Sequence, residues 1–188
     1  MALLLVTAVT AFRIAGLGFD RTDLFVDEAQ YWLWGQSFEA GYYSKPPLIA
    51  WVIGVVTSLA DSDAKFWIRL PGPVFHALTA LILAAAAVRL WGEKAGIWTA
   101  VVYVTLPFTV VGSAMISTDT ILAPFYAGAL YAAVRATDGK SVFWAALAGA
   151  SLGAAFLAKY AAVYFLIGLA IEKWNLHKRI ALSIIKLT

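Results

Sequence analysis

Apolar runs recur along the whole chain with only short polar turns between them, at 2–17, 66–90, 95–113, 120–135, 142–158 and 160–171. An α-helix of about 20 apolar residues matches the hydrocarbon thickness of a bilayer, and each run is near that length or somewhat short of it. With 62% of the 188 residues hydrophobic and 13% charged, the runs are too many and too long to share one soluble core. The expected fold is therefore all-α, a polytopic transmembrane helical bundle of about six spans forming a single transmembrane domain over 1–188. The first run lacks a basic leader and is followed by further spans, which makes it a retained helix rather than a cleaved signal. Arg13 is its only charge, expected near one end or facing other helices.

The segment 47–60 decides the topology. Its apolar stretch is about 14 residues, the length of an interfacial or re-entrant piece. If it does not cross, Arg89, Lys94, Arg135, Lys140, Lys173, Lys178 and Arg179 share one side, which the positive-inside rule makes cytoplasmic. The opposite side then collects Asp20, Asp23, Asp27, Glu28, Glu39, Asp61, Asp63 and Asp119. A crossing would destroy this sorting. The segment is accordingly read as an outer juxtamembrane helix, beside a second short amphipathic helix at 27–36, within an outer loop spanning 20–65.

Several classes of function fall away. The chain has no cysteine, which excludes disulfides and thiolate chemistry, and His76 and His177 form no ligand motif. Nothing suggests nucleic-acid binding. A small transporter would need polar groups near the bilayer midplane, whereas these charges cluster at span ends. Gly149 and Gly153 form a GxxxG pattern expected to pack closely against a neighbouring helix, and Pro107 and Pro124 are expected to be ordinary kinks.

The chemistry concentrates in the outer loop. The stretch 27–51, DEAQYWLWGQSFEAGYYSKPPLIAW, places two carboxylates, a lysine, paired prolines and many aromatics at the water–lipid boundary. Carboxylates are costly to desolvate there, while Trp and Tyr favour that level. The pattern points to an enzyme acting on a lipid-borne substrate. Asp27 and Glu28 open a helix, where carboxylates are favoured for purely local reasons, and adjacent positions point about 100° apart. Asp119, in ISTDT, reaches the same outer side, either as a helix cap or as a second acid of the site. Lys45 precedes Pro46 and Pro47, which stiffen the chain and preorganise an ammonium suited to a lipid phosphate. Arg69 and Lys159 are further outer cations, explained equally by snorkelling or by neutralising a departing phosphate.

The segments VDEAQYWLWGQ, GYYSKPPLIAW, WIRLPGPVFHALTA, ISTDT and GASLGAAFLAKYAAV occur here in order. Together they resemble the N-terminal half of family-39 and ArnT-like glycosyltransferases, membrane enzymes of the GT-C fold. The resemblance implies transfer of a sugar from a polyprenyl-phosphate donor to a glycan, lipid or protein acceptor. It also implies a bacterial inner membrane location with the site on the periplasmic or extracellular face. Asp27, Glu28 and Asp119 map onto its acidic positions, with Asp27 the catalytic carboxylate. Lys45 maps onto the lysine that contacts the donor phosphate, and Tyr43, Arg69 and Lys159 are grouped with it as substrate-binding residues.

On this reading Asp27 accepts a proton from the acceptor as that atom attacks the anomeric carbon, and the lipid phosphate leaves from the other face with inversion. Fixed cations, Lys45 helped by Arg69, would stabilise the leaving group and could replace a metal ion, so the sequence requires no cofactor. The alternative is a divalent ion held by Asp27, Glu28 and Asp119, which no ligand spacing supports. Family members are considerably longer, and the apolar stub 180–187 reads as the start of a seventh helix, so a truncated chain is expected. The competing expectation is a non-catalytic subunit that binds a lipid phosphate without releasing sugar.

Overall fold

The computed structural model describes residues 1–139 and 141–173, and every regular element among them is helical. Lys140, His177, Lys178, Arg179 and the 180–187 stub lie outside the described residues. The first helix, α1 (Ala2–Phe19), ends at Asp20, whose extended backbone leads to α2 (Val26–Gly35). A loop through Pro46 and Pro47 leads to α3 (Leu48–Ala60), whose 13 residues cover only about 20 Å and fall short of the hydrocarbon core. Asp61 closes α3 in the left-handed region at φ 48°, a conformation that Asp tolerates better than most side chains.

The next run divides into α4 (Lys65–Arg69) and α5 (Pro71–Trp91), which together read as one 27-residue span. Gly92 at φ 86° makes the turn that separates it from α6 (Glu93–Thr105). Where the sequence suggested an uninterrupted span at 95–113, the chain breaks. Leu106 is extended at ψ 134°, Pro107 begins α7 (Pro107–Ala114), and the two axes differ by 57°. Proline disfavours helical backbone in the residue before it and offers no N–H, so the kink expected at Pro107 becomes a full break.

The remaining elements are α8 (Thr118–Gly139), which continues through Pro124, α9 (Val142–Ala158), a single 3-10 turn at Tyr160–Ala162, and α10 (Val163–Lys173). Among the described residues two helices are long and apolar enough to cross a membrane, or three if the bent α6–α7 pair counts as one span.

Two apolar clusters hold these helices. Val6 of α1, Ala80 and Ala84 of α5, and Ala100 and Val104 of α6 form one. The larger cluster unites Tyr31 of α2, Ile49 and Ile53 of α3, Ile68 of α4, and Ile116, Ile121, Leu152 and Ala155 from α8, α9 and the turn before α8. It fastens α2 and α3 to α4, α8 and α9. Their mutual contact depends on two glycines: a Cβ on Gly54 would lie 2.3 Å from the Gly35 carbonyl oxygen, and one on Gly35 would lie 2.8 Å from that of Ala50. Gly149 and Gly153, in contrast, would present a Cβ to nothing described within 4 Å. The close-packed face of α9 is instead the one bearing Leu152, Ala155 and Ala158.

Candidate active site

A cavity of about 470 Å³ opens between α2 and α7. Phe25, Val26, Asp27, Glu28 and Tyr31 form one wall, and Phe108, Val111, Gly112, Met115, Ile116 and Ser117 form the other. It is largely apolar, with Asp27 and Glu28 bringing carboxylate chemistry to it.

The two adjacent carboxylates have opposite surroundings. Glu28 is 1% exposed and Arg69 is 2% exposed. Arg69 donates from Nε to Glu28 Oε1 at 3.0 Å and from Nη2 to Oε2 at 2.7 Å. The backbone N–H of Ile116 donates to Oε1 and that of Phe25 to Oε2, each at 3.0 Å. The bond to Phe25 is also half of a capping box, in which the third residue of a helix reaches back to its start. Four donors therefore occupy the two oxygens, which offer about four acceptor sites in all.

Arg69 is equally saturated. Its remaining N–H groups donate to Asp20 Oδ2 at 2.8 Å, the Thr22 hydroxyl at 2.9 Å and the Asp23 carbonyl at 2.9 Å. A guanidinium has five N–H donors, and five bonds engage them here. Asp20 is held below the usual carboxylate range chiefly by the Thr22 N–H and hydroxyl, with Arg69 adding to the effect. The network joins the end of α1, the start of α2, α4 and the turn before α8, fixing the rim of the cavity from four directions.

Asp27 is exposed, lines the cavity, and makes no hydrogen bond or ion pair among the described residues. Tyr31, one helical turn on, is 2% exposed. Burial, then the charges of Asp27 and Asp119, push its phenol up to about 12. The tyrosine thus lies within electrostatic reach of both acids, which arrive from different parts of the chain. Asp119 itself is gripped by Lys159, whose Nζ donates to both carboxylate oxygens at 2.7 and 2.8 Å. This pair ties the first turn of α8 to the residue after α9 and remains partly exposed.

The sequence-derived candidates divide accordingly. Asp27 and Glu28 line one cavity, Arg69 locks onto Glu28, and Lys159 locks onto Asp119. Lys45 and Tyr43 lie on the loop before α3 and outside the cavity lining. Pro46 and Pro47 are buried, Tyr43 is fully exposed, and the Lys45 ammonium makes no hydrogen bond or ion pair among the described residues. Among those residues no group of three or more His, Asp or Glu side chains is placed to hold a metal ion.

Tyr31 and the Asp20–Thr22 turn escaped the sequence reading. Asp20 and Thr22 carry a local signal, since Asp-x-Thr readily forms a side-chain turn, but their service to Arg69 requires the fold. His76 is fully buried, with its Nδ1 2.9 Å from the Tyr103 hydroxyl and its Nε2 3.4 Å from that of Thr120. It is a packed, hydrogen-bonded side chain, as its position within a span suggested.

Residues 44–187 match the family described as dolichyl-phosphate-mannose-protein mannosyltransferase. A lipid A galacturonosyltransferase, RgtD, of Rhizobium johnstonii is 48% identical over 169 residues. The aligned region is 90% of this chain and 36% of that protein, so the chain spans little more than a third of the relative's length. No solved structure matches.

Proposed function

This chain belongs to the dolichyl-phosphate-mannose-protein mannosyltransferase family, and on that premise we propose that it is the N-terminal part of a membrane glycosyltransferase with Asp27 as its catalytic base. The observation that carries the assignment is the contrast among the outer acids. Glu28 has its acceptor sites occupied by four donors and Asp119 is gripped at both oxygens by Lys159, whereas Asp27, at the cavity, has no hydrogen bond or ion pair among the described residues. A general base needs a free lone pair within reach of the acceptor proton.

The donor in this reading is a polyprenyl-phosphate sugar. By analogy with the galacturonosyltransferase relative, the acceptor is a membrane lipid such as lipid A, and the sugar is a uronic acid. Asp27 takes the acceptor proton as the oxygen attacks the anomeric carbon, while the lipid phosphate departs from the opposite face and the configuration inverts. Lys45, on the loop before α3 and outside the cavity lining, is assigned the developing phosphate charge, because its ammonium has no hydrogen bond or ion pair among the described residues and all five N–H donors of Arg69 are engaged. Glu28, Arg69, Asp119 and Lys159 act as positioning residues that hold the cavity wall. Tyr31 stays protonated at neutral pH and leaves its hydroxyl on the cavity wall as a donor for substrate.

The membrane arrangement belongs to the same proposal. Six spans form a GT-C-like bundle, with α2 and α3 lying on the outer, periplasmic leaflet of the bacterial inner membrane and the basic turns in the cytoplasm. Support comes from the 13-residue length of α3 and from the placement of Asp27, Glu28 and Tyr31 on a cavity shared with the end of α7.

The test is reconstitution of the full-length protein in vesicles with a labelled polyprenyl-phosphate uronic acid and lipid A. The reading expects label on lipid A and stoichiometric release of polyprenyl phosphate. Donor binding without release would instead establish the non-catalytic lipid-phosphate subunit.

A further inference from the structure

The wall of the Asp27 cavity formed by α7 is the second arm of the bent α6–α7 pair. At the break, the helical ladder restarts with the Val110 N–H on the Leu106 carbonyl at 3.0 Å. The Val104 carbonyl is left at the end of α6 and is met by Arg13 Nη2. An unpaired carbonyl in the hydrocarbon region would cost several kcal/mol, so the break requires such a donor. The other arm of the same guanidinium, Nη1, donates to the Ser113 hydroxyl on α7 at 3.0 Å. Ser113 is buried and in turn donates to the Thr109 carbonyl at 2.6 Å. Arg13 therefore spans the bend, one nitrogen on each side of it.

Its position is behind the wall, not inside the cavity. A separate groove of about 290 Å³ is lined by Phe12, Arg13, Gly16, Val110, Ser113 and neighbouring residues. The opposite face of α7 presents Phe108, Val111 and Gly112 to the cavity that holds Asp27. Six residues separate Arg13 from the outer end of α1, a depth of about 9 Å. A cation at that depth needs such partners.

We propose that Arg13 is a positioning residue for sugar transfer, setting the angle of α7 and hence the width of the cavity that receives the donor. The proposal rests on the glycosyltransferase reading. Because Arg13 approaches no reacting atom, its loss weakens binding of substrate and transition state alike, which raises KM and leaves kcat nearly unchanged.

The experiment uses full-length protein bearing spin labels on Val111→Cys and Leu59→Cys, with steady-state transfer measured on the label-free forms. Arg13→Met and the milder Ser113→Ala should each raise the donor KM, by about tenfold for the arginine change and less for the serine, with kcat within about threefold. Both should broaden the distance distribution between the labels, and Arg13→Lys should recover part of each effect. A folded Ser113→Ala with wild-type KM and wild-type distances overturns the proposal, and it decides the matter even if Arg13→Met fails to fold. Should no form transfer sugar, the transferase reading fails alone, since the distances still report whether Arg13 holds α7.

Discussion

Replacing Glu28 with Gln is the perturbation whose size follows most directly from the structure. The carboxylate receives the Nε–H and an Nη2–H of Arg69 together with the backbone N–H groups of Ile116 and Phe25. Glutamine has the same shape but a single carbonyl oxygen, so its NH₂ group must face donors that already converge there. The buried guanidinium would also lose its principal counter-charge, leaving Asp20 as its remaining carboxylate partner. Breaking a buried pair by altering one partner costs about 3–5 kcal/mol, in contrast to the small value of exposed pairs.

At about 2 °C per kcal/mol, the low end of the range for a chain of this size, Glu28→Gln should lower the melting midpoint in detergent by about 6 °C or more. Combining it with Arg69→Met should lose less than the sum of the two single changes, by at least about 1 kcal/mol, because the two groups share one network. Transfer activity should fall as well, since the network holds the first turn of α2. A Glu28→Gln protein melting within about 1 °C of wild type would refute the assignment of this residue to structure and return it to the catalytic candidates.

Other consequences are independent of that network. Gly54→Ala should destabilise by about 1–3 kcal/mol, because its Cβ meets the Gly35 carbonyl at 2.3 Å, whereas Gly149→Ala should be tolerated; thermal melts of both variants test this. Lys159→Met should change stability by no more than about 1 kcal/mol, as expected for a half-exposed ion pair, yet lower transfer by freeing Asp119 beside Tyr31. The raised Tyr31 value predicts a pH effect of definite sign. Its folded value of about 12 exceeds the ordinary 10, so its contribution to stability is intact below pH 10 and is lost as pH rises from about 10 towards 12. Ultraviolet difference titration should show late-ionising tyrosine absorbance that falls by the share of one tyrosine in Tyr31→Phe.

Much of the architecture was legible because it follows from apolar length and from breakers. The outer helix read at 27–36 forms at Val26–Gly35, and the short segment after the tandem prolines forms Leu48–Ala60. The break in the third apolar run was less legible, because hydropathy passes smoothly through Leu106 and Pro107 while the backbone does not. Glycine signals were less legible for a related reason. The GxxxG spacing of Gly149 and Gly153 describes one helix, whereas the contact of Gly35 with Gly54 needs two helices brought together by the intervening loop.

The candidate site shows the same limit. Residue type and position singled out Asp27, Glu28 and Asp119 together, but neighbouring positions on a helix share almost every sequence property. The difference between Asp27 and Glu28 comes from Arg69, 41 positions beyond Glu28, and from the Ile116 amide, 88 positions beyond it. No local pattern encodes those partners. Likewise, Arg69 and Lys159 read as free cations until the fold supplied carboxylates to both.

The division of labour between the unengaged and the engaged acids is tested most directly by Asp27→Asn in the full-length protein, with sugar transfer and thermal midpoint measured on the same preparation. Loss of a general base predicts a fall in kcat of at least about 100-fold with a midpoint within about 1 °C of wild type. Transfer within about twofold of wild type, or a collapse in stability matching that of Glu28→Gln, would contradict the account.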